Sequence, residues 1–273
     1  MLKSLIPQTL PDWLRFFKDE TTPNPKPPSS DWSFSSPGDL EIVSLEEFLK
    51  QFDDIPHGTA LLGVCEDGLP VLVDLNDQNT SPVAILGDGG CGKTSLMQGF
   101  LESALHWSPS STIEFLIIAE KHEPFERYCE EYASNCLGLF NPEDPQVEEA
   151  LLVLTERIEE TGFSSQAITL VFVDDLAVVR TTSCYVRNRL EQIMHQGMKA
   201  RIWLLATLST ANALEMGRWL RYFRTRVLGI MPPQAAIRLG LHPGLNVQSL
   251  PPSRQFAVFS QQQWLKFWTL TLK

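Results

Sequence analysis

The sequence predicts an α/β fold: a mostly parallel central sheet with helices on both faces, preceded by a β-hairpin and an N-terminal extension. Three observations predict it. Short, continuously apolar runs, as in strands buried on both sides, alternate with segments that are apolar every three or four residues. A glycine-rich turn, Gly87-Asp-Gly-Gly-Cys-Gly-Lys-Thr94, joins one such run to one such helical segment. A later apolar run ends directly in an acid pair, Asp174-Asp175.

Along the chain, residues 1–40 form the extension. It holds an amphipathic piece around Trp13, Leu14, Phe16 and Phe17, then a Pro/Ser-rich stretch over 21–38 that reads as a linker. Residues 41–273 read as one domain. Ser44-Leu-Glu-Glu47 is a capping box that opens a short helix with Leu45, Phe48, Leu49 and Phe52 on one face. Ala60–Cys65 and Pro70–Leu75 flank a Glu-Asp-Gly turn and read as a hairpin. Strands follow at Pro82–Leu86, Ile113–Ala119, Ile168–Val173, Ile202–Ala206 and Arg226–Ile230. Helices fall between them, from Thr94 to about Trp107, through Val147, Leu151, Leu154 and Ile158, and through Val186, Leu190 and Ile193. Trp264, Phe267 and Trp268 alternate with polar residues and read as a half-buried edge strand, ahead of an aromatic platform for bases.

Composition excludes several classes. Of 273 residues 43% are hydrophobic and 20% charged, so a packed core is expected. No apolar run reaches the ~18 residues of a membrane helix. The stretch from Met1 to Pro7 is too short for a signal peptide, which points to the cytoplasm. Five cysteines without a CxxC pair or finger-spaced histidine argue against zinc and for reduced thiols. The five histidines are scattered and read as surface or satisfied positions.

The net charge of −11 hides a split. Up to Asp175 there are nine basic and 31 acidic side chains, and after it 13 basic and two acidic. Arg218, Arg221, Arg224 and Arg226 cluster within the basic part. Three readings stay open: a solvated basic face, a surface for nucleic-acid phosphates, or an interface where one subunit's basic half meets the next subunit's acidic half and closes a ring.

The glycine-rich turn fits G-x-x-x-x-G-K-[ST] with the strand and helix that this motif requires. Glycines let successive backbone N–H groups turn toward phosphate oxygens, and the following helix adds its positive N-terminus. The nucleotide-binding candidates are Gly87, Asp88, Gly89, Gly90, Cys91, Gly92, Lys93, Thr94 and Ser95. Lys93 would reach the β- and γ-phosphates of ATP and is also a catalytic candidate; Thr94 and Asp174 would hold Mg²⁺, and Asp175 would orient the attacking water. Cys91 contributes only its backbone.

These features together resemble the FtsK/HerA group of P-loop motors, specifically the FtsK/SpoIIIE-type domain, over roughly residues 57–260. The resemblance rests on the hairpin before the phosphate loop, the strand ending in Glu120-Lys121, the strand ending in an acid pair, and Ala200-Arg-Ile-Trp-Leu-Leu-Ala-Thr207. It implies a RecA-like core, ATP and Mg²⁺ binding, ring assembly and movement of double-stranded DNA. It adds Thr207, on the strand that carries the family's sensor, and Arg226, as an arginine finger toward a neighbour's nucleotide. Three departures stand out. Asp175 replaces the usual glutamate, one methylene shorter, and a misplacement of about an ångström costs ~100-fold in rate. Leu208 replaces the sensor glutamine, and Ser209-Thr210 the following Arg-Pro. The expected function is ATP and Mg²⁺ binding with weakened hydrolysis, as a ring component or assembly switch. The rivals are an active DNA translocase and a scaffold that docks on a motor partner through residues 1–20. A small-molecule kinase ranks last, since no arginine-rich lid segment is evident.

Overall fold

Successive residues of a strand face opposite sides, and here both sets are apolar, so the sheet must be covered twice. A computed structural model of the chain describes residues 44–272, except 53–54, 67, 78, 110–111, 161–166, 240–244, 253 and 261–262. The predicted extension over 1–40 lies outside the described residues. Helix α1 (Leu45–Leu49) carries the predicted capping box, with Glu47 N–H donating to Ser44 Oγ. Then come the hairpin strands β1 (Thr59–Val64) and β2 (Pro70–Asp74), β3 (Val83–Gly87), α2 (Lys93–His106), β4 (Ile113–Ala119), α3 (Glu126–Glu131), β5 (Cys136–Phe140), α4 (Pro145–Glu159) and β6 (Ile168–Asp174). A 3₁₀ turn over Leu176–Arg180 leads to α5 (Cys184–Gln196), β7 (Ile202–Ser209), α6 (Thr210–Glu215), α7 (Gly217–Leu220), β8 (Thr225–Leu228), α8 (Pro233–Arg238), β9 (Gln255–Ser260) and β10 (Gln263–Trp268).

Among the described residues these strands form one sheet in the order β2-β1-β10-β9-β8-β3-β7-β6-β4-β5. From β8 to β5 all pairings are parallel, and from β9 to β2 all are antiparallel. The fold is therefore a RecA-like P-loop NTPase core with a mixed ten-stranded sheet. The hairpin does not stand apart from it: β1 joins the main sheet through β10.

The two apolar faces form separate cores. On one face Ala84, Leu86, Val171, Val173 and Leu204 pack with Leu151 and Leu154 of α4 and Leu190 and Ile193 of α5. On the other, Ile85, Phe172 and Leu205 pack with Met97, Phe100 and Leu101 of α2. That second core also contains Ala60, Leu62, Val71 and Val73 of the hairpin. The antiparallel end of the sheet thus shares in the cover of α2. Ser103, fully buried on α2, accepts from the backbone N–H of Leu61 and donates to the carbonyl of Phe100. Each large side chain enclosed this way contributes about 1.5–3 kcal/mol.

Three elements depart from the expectations. The C-terminal aromatic strand is not an edge: β10 pairs with both β9 and β1, and Phe267 and Trp268 are buried. Strands β5 and β9 are additional to those anticipated. Strand β5 is half-exposed and interrupted by Gly138, which weakens its apolar signal.

Gly63 marks the joint between hairpin and sheet. A Cβ there would lie 2.2 Å from the carbonyl oxygen of Trp268, in backbone that cannot give way. Gly63→Ala is expected to lower the unfolding free energy by about 1–3 kcal/mol. Gly99→Ala, in the interior of α2 with room for a methyl 3.8 Å from Leu45, should raise it by about 0.5–1 kcal/mol. Urea midpoints of the two variants moving in opposite directions would check both.

Candidate nucleotide site

Strand β3 lies between β7 and β8 and delivers Gly87 to the C-terminal edge of the parallel sheet. The chain then makes a tight loop into α2. Gly90 (φ 75°) and Gly92 (φ 89°) take left-handed backbone, which costs a side-chain-bearing residue about 1–2 kcal/mol. The loop is tied to the exit of β8: Asp88 N–H donates to Ile230 O (2.9 Å) and Gly229 N–H to Leu86 O (2.7 Å). A Cβ on Gly89 or Gly90 would meet nothing within 4 Å, so the loop's rim is open to a close approach.

Beneath the rim sits Cys91. Its sulphur occupies space between Gly87 and Gly229, where a Cβ on either would come within 2.6 Å or 2.9 Å of it. Burial pushes the thiol's pKa up, against the opposing pull of Lys93, so it remains a neutral filler of the loop's underside. The Lys93 ammonium folds over the loop and donates to Gly87 O (3.0 Å) and Asp88 O (2.7 Å), with a long contact to Cys91 Sγ (3.8 Å). The sulphur contact is the weakest of the three and the one an incoming phosphate oxygen would most readily replace.

Three residues predicted from separate segments converge beside the loop. Thr94 Oγ1 donates to the Asp174 carboxylate at 3.0 and 3.2 Å. Thr207 Oγ1, on a residue 1% exposed, donates to Asp174 Oδ1 at 2.7 Å. The same Thr207 oxygen accepts from the Asp175 N–H at 2.8 Å, so one hydroxyl fixes both acids. Mg²⁺ prefers hard oxygen donors, and the Thr94 hydroxyl beside the Asp174 carboxylate is such a pair. The residues present therefore fit a Mg²⁺–nucleotide, with Lys93 and the loop amides on the phosphates.

The remaining predicted residues are placed differently. Asp175 sits in left-handed backbone (φ 64°) and caps the 3₁₀ turn: its Oδ1 accepts from Ala177 N–H at 3.1 Å. The Asn212 amide donates to both Asp175 oxygens, at 3.2 and 2.9 Å. Arg180 reaches Asn212 Oδ1 at 3.4 Å and pairs with Glu215, which completes a polar chain along this rim. Leu208 is fully buried, paired with Leu86 in the α4/α5-side core. Ser95 is exposed on the first turn of α2. Arg226 is not brought to its own loop. It lies opposite Ala84, three residues before Gly87, and donates to Leu220 O at 2.9 Å. Burial lowers the pKa of its guanidinium. Asn212 was not among the predicted residues; its position in α6 follows β7 without an intervening loop, so no motif marks it.

No family model and no curated protein matches the sequence. Solved structures do. ATPases 2 and 3 of EccC from Thermomonospora curvata, in complex with a signal sequence peptide, superpose with a TM-score of 0.63 at 15% identity, covering 79% of this chain and 41% of that one. ATPases 2 and 3 of EssC from Geobacillus thermodenitrificans give 0.64 at 14% identity, with 78% and 44% covered. The pCW3 conjugation coupling protein TcpA, in its monomer form with ATPγS, gives 0.63 at 13% identity, with 82% and 68% covered. The chain thus spans less than half the length of the EccC and EssC chains. With the strand order, the glycine loop on β3 and the acid pair ending β6, these similarities give the chain the fold of the FtsK/SpoIIIE-type P-loop ATPases.

Proposed function

We propose that the chain binds ATP with Mg²⁺ in the β3–α2 loop and turns it over slowly, serving as a ring component or an ATP-dependent assembly switch. The loop amides and Lys93 would hold the phosphates, and Thr94 and Asp174 would hold the metal, whose charge offsets that of the phosphates. Thr207 positions Asp174 by its 2.7 Å hydrogen bond.

One observation carries the slow-turnover part: the engagement of the Asp175 carboxylate. A general base must be free to accept a proton from water in line with the bond that breaks. Asp175 instead accepts three hydrogen bonds, from Ala177 N–H and the Asn212 amide, and its side chain is one methylene short of the usual glutamate. Each donor holds the carboxylate at the rim. Leu208 adds to this, since an apolar side chain in the core offers no hydrogen bond to a γ-phosphate. This arrangement supports nucleotide binding with slow turnover.

The charge split favours a second reading, movement along duplex DNA. Arg187, Arg218 and Arg221 are exposed in the basic half, and Arg218 has a Glu191 partner at 3.6 Å. The same split suits a head-to-tail ring, in which basic and acidic halves of successive copies meet.

Three outcomes test these readings. Lys93→Ala should weaken ATP binding by about 10- to 100-fold in calorimetry, the loss expected for charge-assisted hydrogen bonds to phosphate. Wild-type turnover should lie below about 1 s⁻¹, under the usual enzyme range, and Asp175→Glu combined with Asn212→Ala should raise it by about 10- to 100-fold without changing ATP affinity. An unchanged rate would remove Asp175 as the base. For the DNA reading, log K for duplex should fall with log salt by about 0.9 per phosphate contacted. Absence of binding at low salt, measured on the assembled protein, would exclude it.

A further inference from the structure

Away from the nucleotide site, two cysteines from different elements meet. Cys129 lies in α3 and Cys136 opens β5, and their sulphur atoms are 2.6 Å apart. Both side chains are partly exposed, and neither is in a disulfide. Both are held by their neighbours. Tyr128, 1% exposed, anchors Cys129's helix by donating its hydroxyl proton to Glu102 of α2, which Arg127 also pairs with. Asn135, 3% exposed, anchors Cys136. Its amide donates to Ile113 O at 2.7 Å, and its carbonyl accepts from Phe115 N–H at 2.9 Å. The intervening turn closes with Asn135 and Cys136 N–H groups both donating to Tyr132 O. Among the described residues, no group of three or more metal-binding side chains is present, so this pair lacks the further ligands a soft metal would need.

We infer that Cys129 and Cys136 form a reversible dithiol–disulfide site whose oxidant is a low-molecular-weight disulfide such as oxidised glutathione. The Cys136 thiolate attacks one sulphur of the oxidant, whose other half leaves as a thiolate. Cys129 loses its proton and attacks the Cys136 sulphur of this mixed disulfide, expelling the second thiolate. Two protein thiols give up two electrons and two protons; the oxidant takes the electrons and becomes two thiols. The order of attack follows from the local chemistry. The sulphur hydrogen bond with Cys129, aided by the Gly138 N–H, holds Cys136 below the usual thiol range against the effect of burial. The same contact, with burial, pushes Cys129 up, which suits it to the second step. Anchored neighbours on both elements keep the second sulphur beside the first, so ring closure should outrun further reaction with glutathione.

Trypsin reads the result cleanly, because cleavage after Arg127 and Arg157 releases a peptide over 128–157 whose only cysteines are Cys129 and Cys136. The full-length folded protein is treated with oxidised glutathione until the exposed Cys184 has reacted, quenched with acid, denatured, alkylated and digested without reductant. The expected peptide is unalkylated and lighter than its reduced form by two hydrogen atoms. Its ratio to singly glutathionylated peptide should exceed that from urea-unfolded protein by about 10-fold or more. In Cys129→Ser the reaction should stop at glutathione on Cys136. Two results would overturn the inference: both thiols fully alkylated when Cys184 has reacted, or glutathione adducts on 128–157 in the same proportion folded and unfolded.

Discussion

Helix α2 is apolar on more of its surface than one sheet face can cover, and the architecture answers that demand. Met97, Phe100 and Leu101 share one core with the parallel strands and with the β1–β2 hairpin. The hairpin can reach it only because β9 and β10 extend the sheet antiparallel from β8 and carry β1 on their far edge. Because α2 starts at the glycine loop, fixing the helix fixes the direction in which the loop amides and Lys93 face. The antiparallel half of the sheet in this sense helps to place the glycine loop.

At the site, the hydroxyl of Thr207 does for the acids what the hairpin does for the helix. It donates to Asp174 and accepts from the Asp175 backbone, which sets the spacing of two neighbouring carboxylates that would otherwise repel each other. Beyond it the two acids part company. Asp174 turns to Thr94 on the loop helix, and Asp175 turns to Asn212 and the 3₁₀ turn. A single residue step thus separates a carboxylate tied to the loop helix from one engaged in holding the rim together.

Much of this was legible in the sequence because the relevant signals are local. The glycine spelling from Gly87 to Gly92 reports left-handed backbone, and apolar runs at 83–87, 113–119 and 168–174 report strands covered on both sides. Thr94 and Asp174 were marked by the glycine loop and by the acid that ends an apolar run, whereas Thr207 entered only through the family resemblance. What escaped was set by long-range packing. Strand β10 alternates like an edge strand but has neighbours on both sides. The second cover on α2 comes from a hairpin about 30 residues upstream. The engagement of Asp175 depends on an asparagine 37 residues away, in a helix too short for its periodicity to show.

Ser44 pairs in parallel with Thr271, and the Leu45 N–H donates to the Thr271 carbonyl. The first and last described segments are therefore fastened side by side, with α1 resting against α2 near Gly99. About six residues, or roughly 9 Å of helix, separate that point from Lys93. A pull applied at Ser44 or at Thr271 therefore acts at a single place beside α2. Joining the ends and reopening the chain at an exposed turn would yield a circular permutant that keeps every strand in its present order.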